Sequence, residues 1–290
     1  MGAISHEQRD AHYAVVVGID HYVHDKVLRP LNGASADARR FVEWLLDEAG
    51  GALRSDQVRA LATSGVHVGV DTFDSPPIQE VLQWHVIQAL GEVNQEMLER
   101  IRNSEPGVYE RSRLYIFFAG HGVMAPNVQA ALLTSEAGAP GAFGWGVNVT
   151  DLAQWYFDHG PFKQVICFAD CCRTYYKDIR FNSVNLDAYL RDGLSRSWIL
   201  KGFATLPDEI SLESFTADEV RGVFSKALVD ALQKDVDPGT RSIDHMSLTE
   251  AVGRRVEQTT PPPGPPPPQT SVFIPEEIGY KQFIYFGGSR

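Results

Sequence analysis

The chain is 290 residues long, 43% hydrophobic and 22% charged, which suits a globular protein of one large α/β domain or two small ones. Acidic residues outnumber basic ones, 37 against 26, for a net charge of -11. With no basic surplus to neutralise phosphates and no basic run, neither a nucleic-acid partner nor an anionic lipid surface is expected.

Residues 13–19 (YAVVVGI) form a β-branched run without polar alternation, the pattern of a parallel strand buried on both faces. Residues 34–49 are predicted helical, since Ala38, Phe41, Leu45 and Leu46 recur near 3.6-residue spacing and two glycines follow. Residues 58–62 make a second strand. Ser75 and Pro76 have the form of an N-cap with proline in the first turn. The helix they open is expected to run to about Ile101, with Ile78, Leu82, Val86 and Leu90 on one face. Residues 114–119 (LYIFFA), 164–169 (QVICFA) and 199–205 are strand-like, and residues 130–133 are a shorter candidate. Further helices are expected over about 150–157, 222–232 and 247–256. The proline run 261–268 must be extended and is expected to wrap the surface, with a linker or a proline-domain ligand as alternatives. Residues 282–286 (QFIYF) are predicted as the last strand. Strands alternating with helices predict an α/β fold whose mostly parallel sheet is covered on both faces.

Two of these strands end in unusual polar clusters, Ala119-Gly120-His121-Gly122 and Asp170-Cys171-Cys172-Arg173. The carboxyl ends of parallel strands are where catalytic groups gather, and neighbouring strands would set His121 beside Cys172. A thiol is a good nucleophile as thiolate, and an adjacent imidazole can take its proton. Gly120 and Gly122 allow the backbone to bend closely around the histidine, leaving the Gly122 N–H to face a developing oxyanion. Cys172 is therefore the candidate nucleophile and His121 its base, while Cys167 and Cys171 are expected to be packing residues. The alternative is that the adjacent cysteines exchange roles.

Cys167, Cys171 and Cys172 form one odd-numbered cluster rather than a disulfide framework, which points to a reducing compartment. No signal-peptide pattern opens the sequence and no apolar stretch is long enough to span a bilayer, so a cytoplasmic protein with no membrane contact is expected. No second Cys/His group has zinc-ligand spacing, so no metal at the cysteine cluster and no cofactor is expected; no EF-hand-like loop appears although acidic residues are plentiful, which leaves calcium dependence open.

The two clusters, their order and their separation resemble the caspase, metacaspase and paracaspase peptidases, where the histidine precedes the nucleophile by about 50 residues. Asp170 matches the D-x-C pattern of metacaspases and many bacterial relatives, and Thr174 departs from the small residue usual after the block. The resemblance covers nearly the whole chain. It includes Ala14 to Tyr22 (AVVVGIDHY), Leu31-Asn32-Gly33-Ala34 with Asp37-Ala38, Gly202-Phe203-Ala204-Thr205, Glu213, and Gly222-Val223-Phe224-Ser225.

It implies one peptidase domain over 1–290, a three-layer α-β-α sandwich on a mostly parallel six-stranded sheet. A large-segment part would span about 1–180 and a small-segment part about 197–290, joined by a connecting loop. It further implies an endopeptidase acting through an acyl-enzyme on Cys172, with Gly122 and Cys172 supplying the oxyanion site. Asp37 and Asp170 match the two aspartates that line the metacaspase specificity pocket, which implies cleavage of protein or peptide substrates after Arg or Lys. Arginine would be preferred, because its planar fork can meet both carboxylates. The alternatives are structural: Asp37 favouring the first turns of its helix, and Asp170 a strand-end carboxylate. Self-cleavage would fall after Arg191 or Arg196, unless that segment is an uncut loop. Activation by an upstream protease or regulator would fit a role in bacterial regulated proteolysis, cell death or antiphage defence. The competing functions are a catalytically silent scaffold and another acyl transfer using the same dyad.

Overall fold

The computed structural model describes residues 9–22, 24, 28–63, 80–138, 145–177, 181, 184, 186, 196–215, 219–237, 242–259, 269–276 and 283–285. In chain order the first half contains β1 (His12–Gly18), α1 (Ala34–Leu46), β2 (Val58–Ala62), α2 (Gln83–Arg102), α3 (Val108–Arg111) and β3 (Arg113–Ala119). Then come β4 (Gly122–Ala125), β5 (Val128–Leu133), β6 (Gly146–Asn148), α4 (Val149–His159), β7 (Gln164–Asp170) and β8 (Thr174–Tyr175). The last part contains β9 (Trp198–Phe203), β10 (Glu213–Phe215), β11 (Val220–Gly222), α5 (Val223–Lys234), β12 (Ser242–Asp244), α6 (His245–Gln258), β13 (Val272–Glu276) and β14 (Phe283–Tyr285).

The main sheet has six strands in the order β13-β9-β7-β3-β1-β2, all parallel except β13, which runs antiparallel to β9. Side chains alternate across it, which explains why its central strands carry almost no polar residues. Tyr13, Val15 and Val17 of β1, Leu114, Ile116 and Phe118 of β3, and Val165, Cys167 and Ala169 of β7 face one core. Helices α2 and α4 close that core with Val86, Leu90, Val93, Leu152 and Tyr156. The intervening residues, Ala14 and Val16, Tyr115 and Phe117, and Ile166 and Phe168, face a second core under α1, α5 and α6. The result is a three-layer α/β sandwich. No helix among the described residues is long and apolar enough to cross a membrane.

Several expected elements differ from those found. The sixth strand of the main sheet is β13, which sequence reading passes over because Pro275 interrupts an already short run. An edge strand tolerates that proline, since one side of its backbone has no ladder partner. The expected terminal strand exists as β14, but it pairs with β12 in a separate two-stranded sheet. A second, four-stranded sheet of order β6-β5-β4-β8 was foreseen only at β5. Helix α2 starts at Gln83, with Leu82 as its N-cap residue. Ser75, Pro76 and Ile78, like the proline run 261–268, lie outside the described residues.

Phe41 of α1 stacks on Phe117 at 4.6 Å between ring centroids and meets Phe168 edge-on at 6.0 Å. It therefore joins α1 to two central strands. Phe41→Ala should lower unfolding free energy by about 3–5 kcal/mol, measured by urea denaturation. A loss below ~1 kcal/mol would mean that α1 does not depend on this contact.

Candidate active site

The register of β3 against β7 sets the site. Ala119 stands opposite Asp170, so His121 and Cys172, each two residues further on, leave the sheet at the same level. The Gly120 N–H donates to the Asp170 carbonyl at 3.1 Å and keeps the two chains together beyond the last paired residues. Because side chains alternate, Asp170 and Cys172 point toward the α1 and α5 side, whereas Cys171 joins the opposite core. Cys171 is 1% exposed, while Cys172 is half-buried. His121, Cys172, Asp37 and Asp170 line one cavity of about 140 Å³, together with Ser211, Glu213 and Gly222.

Helix α1 brings one carboxylate, Asp37, to this cavity, and the end of β7 brings the other, Asp170. Helix α1 follows β1, so its first turn, with Asp37, lies at the carboxyl edge of the sheet. Asp20 accepts from the Ala34 N–H at 2.9 Å and supplies the capping oxygen that Gly33 lacks. Helix α5 is capped in the same indirect way. Its N-cap residue is Gly222, and Asp170 Oδ2 accepts from the Ser225 N–H at 2.9 Å and the Ser225 hydroxyl at 2.5 Å. Asp170 Oδ1 accepts from the Ser211 hydroxyl at 2.6 Å. Asp37 Oδ1 pairs with Arg221 Nε at 2.7 Å, and its Oδ2 accepts the Gly222 N–H at 2.6 Å. A side chain on Gly222 would collide with both Asp170 Oδ2 and Asp37 Oδ2, so only glycine lets the two carboxylates converge.

Burying two neighbouring acids is costly. Burial, reinforced by the Asp170 charge, pushes Asp37 up to about 8, against the pull of Arg221 and the Gly222 N–H. Burial also raises Asp170, opposed by the hydroxyls and N–H that it accepts.

His121 Nε2 lies 2.7 Å from the Arg29 carbonyl, which can only accept, so Nε2 carries the ring proton and Nδ1 holds the free lone pair. The His121 backbone N–H donates to the Tyr22 hydroxyl at 2.6 Å, and the Tyr22 ring lies 4.8 Å from the imidazole. The Cys172 sulfur accepts the Ser211 N–H at 3.3 Å and its thiol donates to the Ser211 carbonyl at 3.9 Å. Burial raises its pKa, with the Ser211 N–H pulling the other way, so a thiol rather than a thiolate occupies the resting site.

Gly122 sits where β4 passes Cys171. A Cβ there would lie 2.6 Å from the Cys171 sulfur. Leu133 N–H donates to the His121 carbonyl, which makes Gly122 and Leu132 a pair without mutual hydrogen bonds. The Gly122 N–H therefore turns away from β5, toward the edge along which β8 runs.

Of the residues singled out in the sequence, the fold assembles His121, Cys172, Asp37 and Asp170 around one cavity, with Gly122 next to His121. Arg191 lies outside the described residues. Arg196 is exposed with its guanidinium over the Phe157 ring, but its carbonyl accepts from Lys163 and Ser197 beyond it is buried. Cleavage after Arg196 would need that junction to open. Sequence reading gave no site role to Arg221, Ser211, Arg29 or Tyr22. Arg221 and Ser211 stand in segments with no motif, and Arg29 contributes only a backbone oxygen, which no side-chain pattern reveals.

No protein-family model matches the chain, and no curated protein matches it. Among solved structures, the fold is similar to that of protein GSU0716 from Geobacter sulfurreducens, with a TM-score of 0.55. The match covers 96% of this chain and 99% of that one at 14% identity. At that identity the likeness concerns the fold alone.

The three thiols should separate under alkylation of the native protein. Iodoacetamide should modify Cys172 first, with a pH midpoint above the ordinary thiol range, because burial raises it. Cys171 and Cys167, both buried with raised pKa values, should react only after unfolding. Peptide mass spectrometry distinguishes them, and modification of Cys171 ahead of Cys172 would overturn the assignment of the accessible thiol.

Proposed function

We propose that the protein is a caspase-like cysteine endopeptidase of a reducing, cytoplasmic compartment that cleaves protein substrates after a basic residue, arginine in preference to lysine. The observation that carries this reading is the single cavity shared by His121, Cys172 and two buried carboxylates. A nucleophile, a base of defined tautomer and an anionic pocket are what such a reaction requires.

In this reading the thiol turns from Ser211 toward the imidazole, and His121 Nδ1 takes its proton. The thiolate attacks the substrate carbonyl carbon, and the negative oxygen so formed faces the backbone N–H groups of Gly122 and Cys172. Collapse of the tetrahedral species breaks the C–N bond, and the imidazolium returns its proton to the leaving amine. Water then attacks the thioester with His121 accepting its proton, the C–S bond breaks as the acid product forms, and the imidazolium returns the proton to sulfur. The Arg29 carbonyl stabilises the imidazolium by holding its Nε2–H. A substrate guanidinium supplies the cation that Asp170 lacks, since no lysine or arginine lies within ion-pair distance of Asp170 among the described residues.

A peptide-library cleavage profile of the wild type beside Cys172→Ala tests the proposal. Cys172→Ala and His121→Ala should abolish cleavage while remaining folded, and Cys171→Ala should keep substantial turnover. Cleavage after aspartate, or full activity in Cys172→Ala, would refute it. Hydrolysed peptides as the sole products would also distinguish a peptidase from an enzyme that passes the acyl group to another amine.

The pocket carboxylates give a separate expectation. Above pH about 8, where Asp37 is ionised, Asp37→Ala should reduce kcat/KM on arginyl substrates by about a hundredfold, the loss expected for a charge-assisted hydrogen bond of ~2–3 kcal/mol. In the wild type, Asp37 loses its proton as the pH rises through about 8, so cation binding strengthens and KM for arginyl substrates falls across that interval. Asp37→Asn should flatten this limb. An unchanged KM profile in that variant would show that Asp37 does not meet the substrate charge.

A further inference from the structure

Ser211 touches two parts of the site at once. Its backbone N–H and carbonyl hold the Cys172 thiol, at 3.3 and 3.9 Å, and its hydroxyl donates to Asp170 Oδ1 at 2.6 Å. The two Asp170 oxygens are held differently. Oδ2 is fixed by the first turn of α5 through Ser225, whereas Oδ1 takes only the Ser211 hydroxyl among the described residues. Ser211 and Asp170 both line the cavity, so a cation entering it reaches the carboxylate that Ser211 occupies.

The segment around Ser211 is anchored on either side of that residue. The Asp208 N–H donates to the Arg173 carbonyl at 3.0 Å, and the Arg173 N–H to the Glu209 carbonyl at 3.1 Å. The Leu212 N–H donates to Gln269 Oε1 at 3.0 Å. Ser211 itself is attached through the contacts to Cys172 and Asp170. A guanidinium offers a full charge and two parallel N–H groups, against the single O–H of a serine, and should win the competition for a buried carboxylate.

We propose that Ser211 is a positioning residue that couples the cation pocket to the nucleophile: a guanidinium bound at Asp170 displaces the Ser211 hydroxyl, and the freed segment releases the Cys172 thiol toward His121. This rests on the reading of Asp37 and Asp170 as the pocket for a basic side chain and adds a control that the pocket by itself does not imply. The thiol stays parked and protonated in the empty enzyme and becomes reactive when the correct side chain arrives. No covalent step is involved. The proton remains on sulfur until His121 Nδ1 accepts it, and the Ser211 hydroxyl exchanges one acceptor for another.

The test uses the full chain and methylguanidinium, which can fill the pocket without reaching over the thiol, with neutral methylurea as control. The rate of Cys172 carbamidomethylation by iodoacetamide is followed by mass spectrometry. Methylguanidinium should accelerate it saturably, by roughly fivefold, the ratio that loss of one net hydrogen bond sustains, and methylurea should not. Ser211→Ala should raise the rate without methylguanidinium by a similar factor and remove the acceleration. Ser211→Thr, which keeps the hydroxyl, should behave as the wild type does. A wild-type rate that is unchanged or slowed, while methylguanidinium still competes with cleavage of arginyl peptides, would sink the coupling and leave the peptidase reading intact. Failure of methylguanidinium to compete would overturn the basic-residue pocket and the coupling with it.

Discussion

The parallel ladder between β3 and β7 is the constraint on which the site depends. Seven paired positions hold the two strands in one register, ending at Ala119 opposite Asp170. A slip of one residue would send Cys172 into the α2 and α4 core and bring Cys171 to the cavity, because side chains alternate across the sheet. The large apolar residues on both faces forbid that slip. Phe117 and Phe168 fill the layer under α1, and Phe118 and Cys167 the opposite one. Packing far from the chemistry thus determines which cysteine is accessible.

The second constraint is charge. Asp37 and Asp170 converge on Gly222, almost wholly out of water. The fold offsets this with two sets of backbone donors, the first turn of α5 and the Gly222 N–H, and with the Arg221 guanidinium. The two acids are structural. Asp170 completes the N-terminus of α5, and Asp37 ties α1 to β11, so the structural roles are present whether or not the same groups meet a cation as proposed. Arg221 pairs directly with Asp37, whereas Asp170 feels that guanidinium only at a distance and, among the described residues, is held by neutral donors.

The third feature is the restraint on the thiol. An imidazole whose Nε2 proton is held by a backbone carbonyl has its other nitrogen available, yet the sulfur rests on Ser211 and burial keeps it protonated. Such a site is ordered, with its thiol held back from reaction. In the proposed coupling, reactivity depends on movement of one short segment between β9 and β10, which is easier to control than rearrangement of the sheet.

Much of this was legible in the sequence. The parallel strands at 13–19, 114–119 and 164–169 showed as uninterrupted apolar runs because a sheet covered on both faces leaves no polar position. The His121 and Cys172 clusters were visible because glycine and polar residues break those runs abruptly. Strand β13 was hidden by Pro275, and the small strands β4, β6, β10, β11 and β12 were too short to show a period. The apolar runs and the clusters at their ends thus determined, from sequence alone, the layered α/β fold and the residues that stand at its carboxyl edge. Only the tertiary structure decided that Arg221 pairs with Asp37, that Asp170 caps α5, that Arg29 orients the imidazole and that Ser211 holds the thiol. Each of these joins segments remote in the chain, and two of them act through backbone atoms, which every residue type carries and no sequence pattern can distinguish.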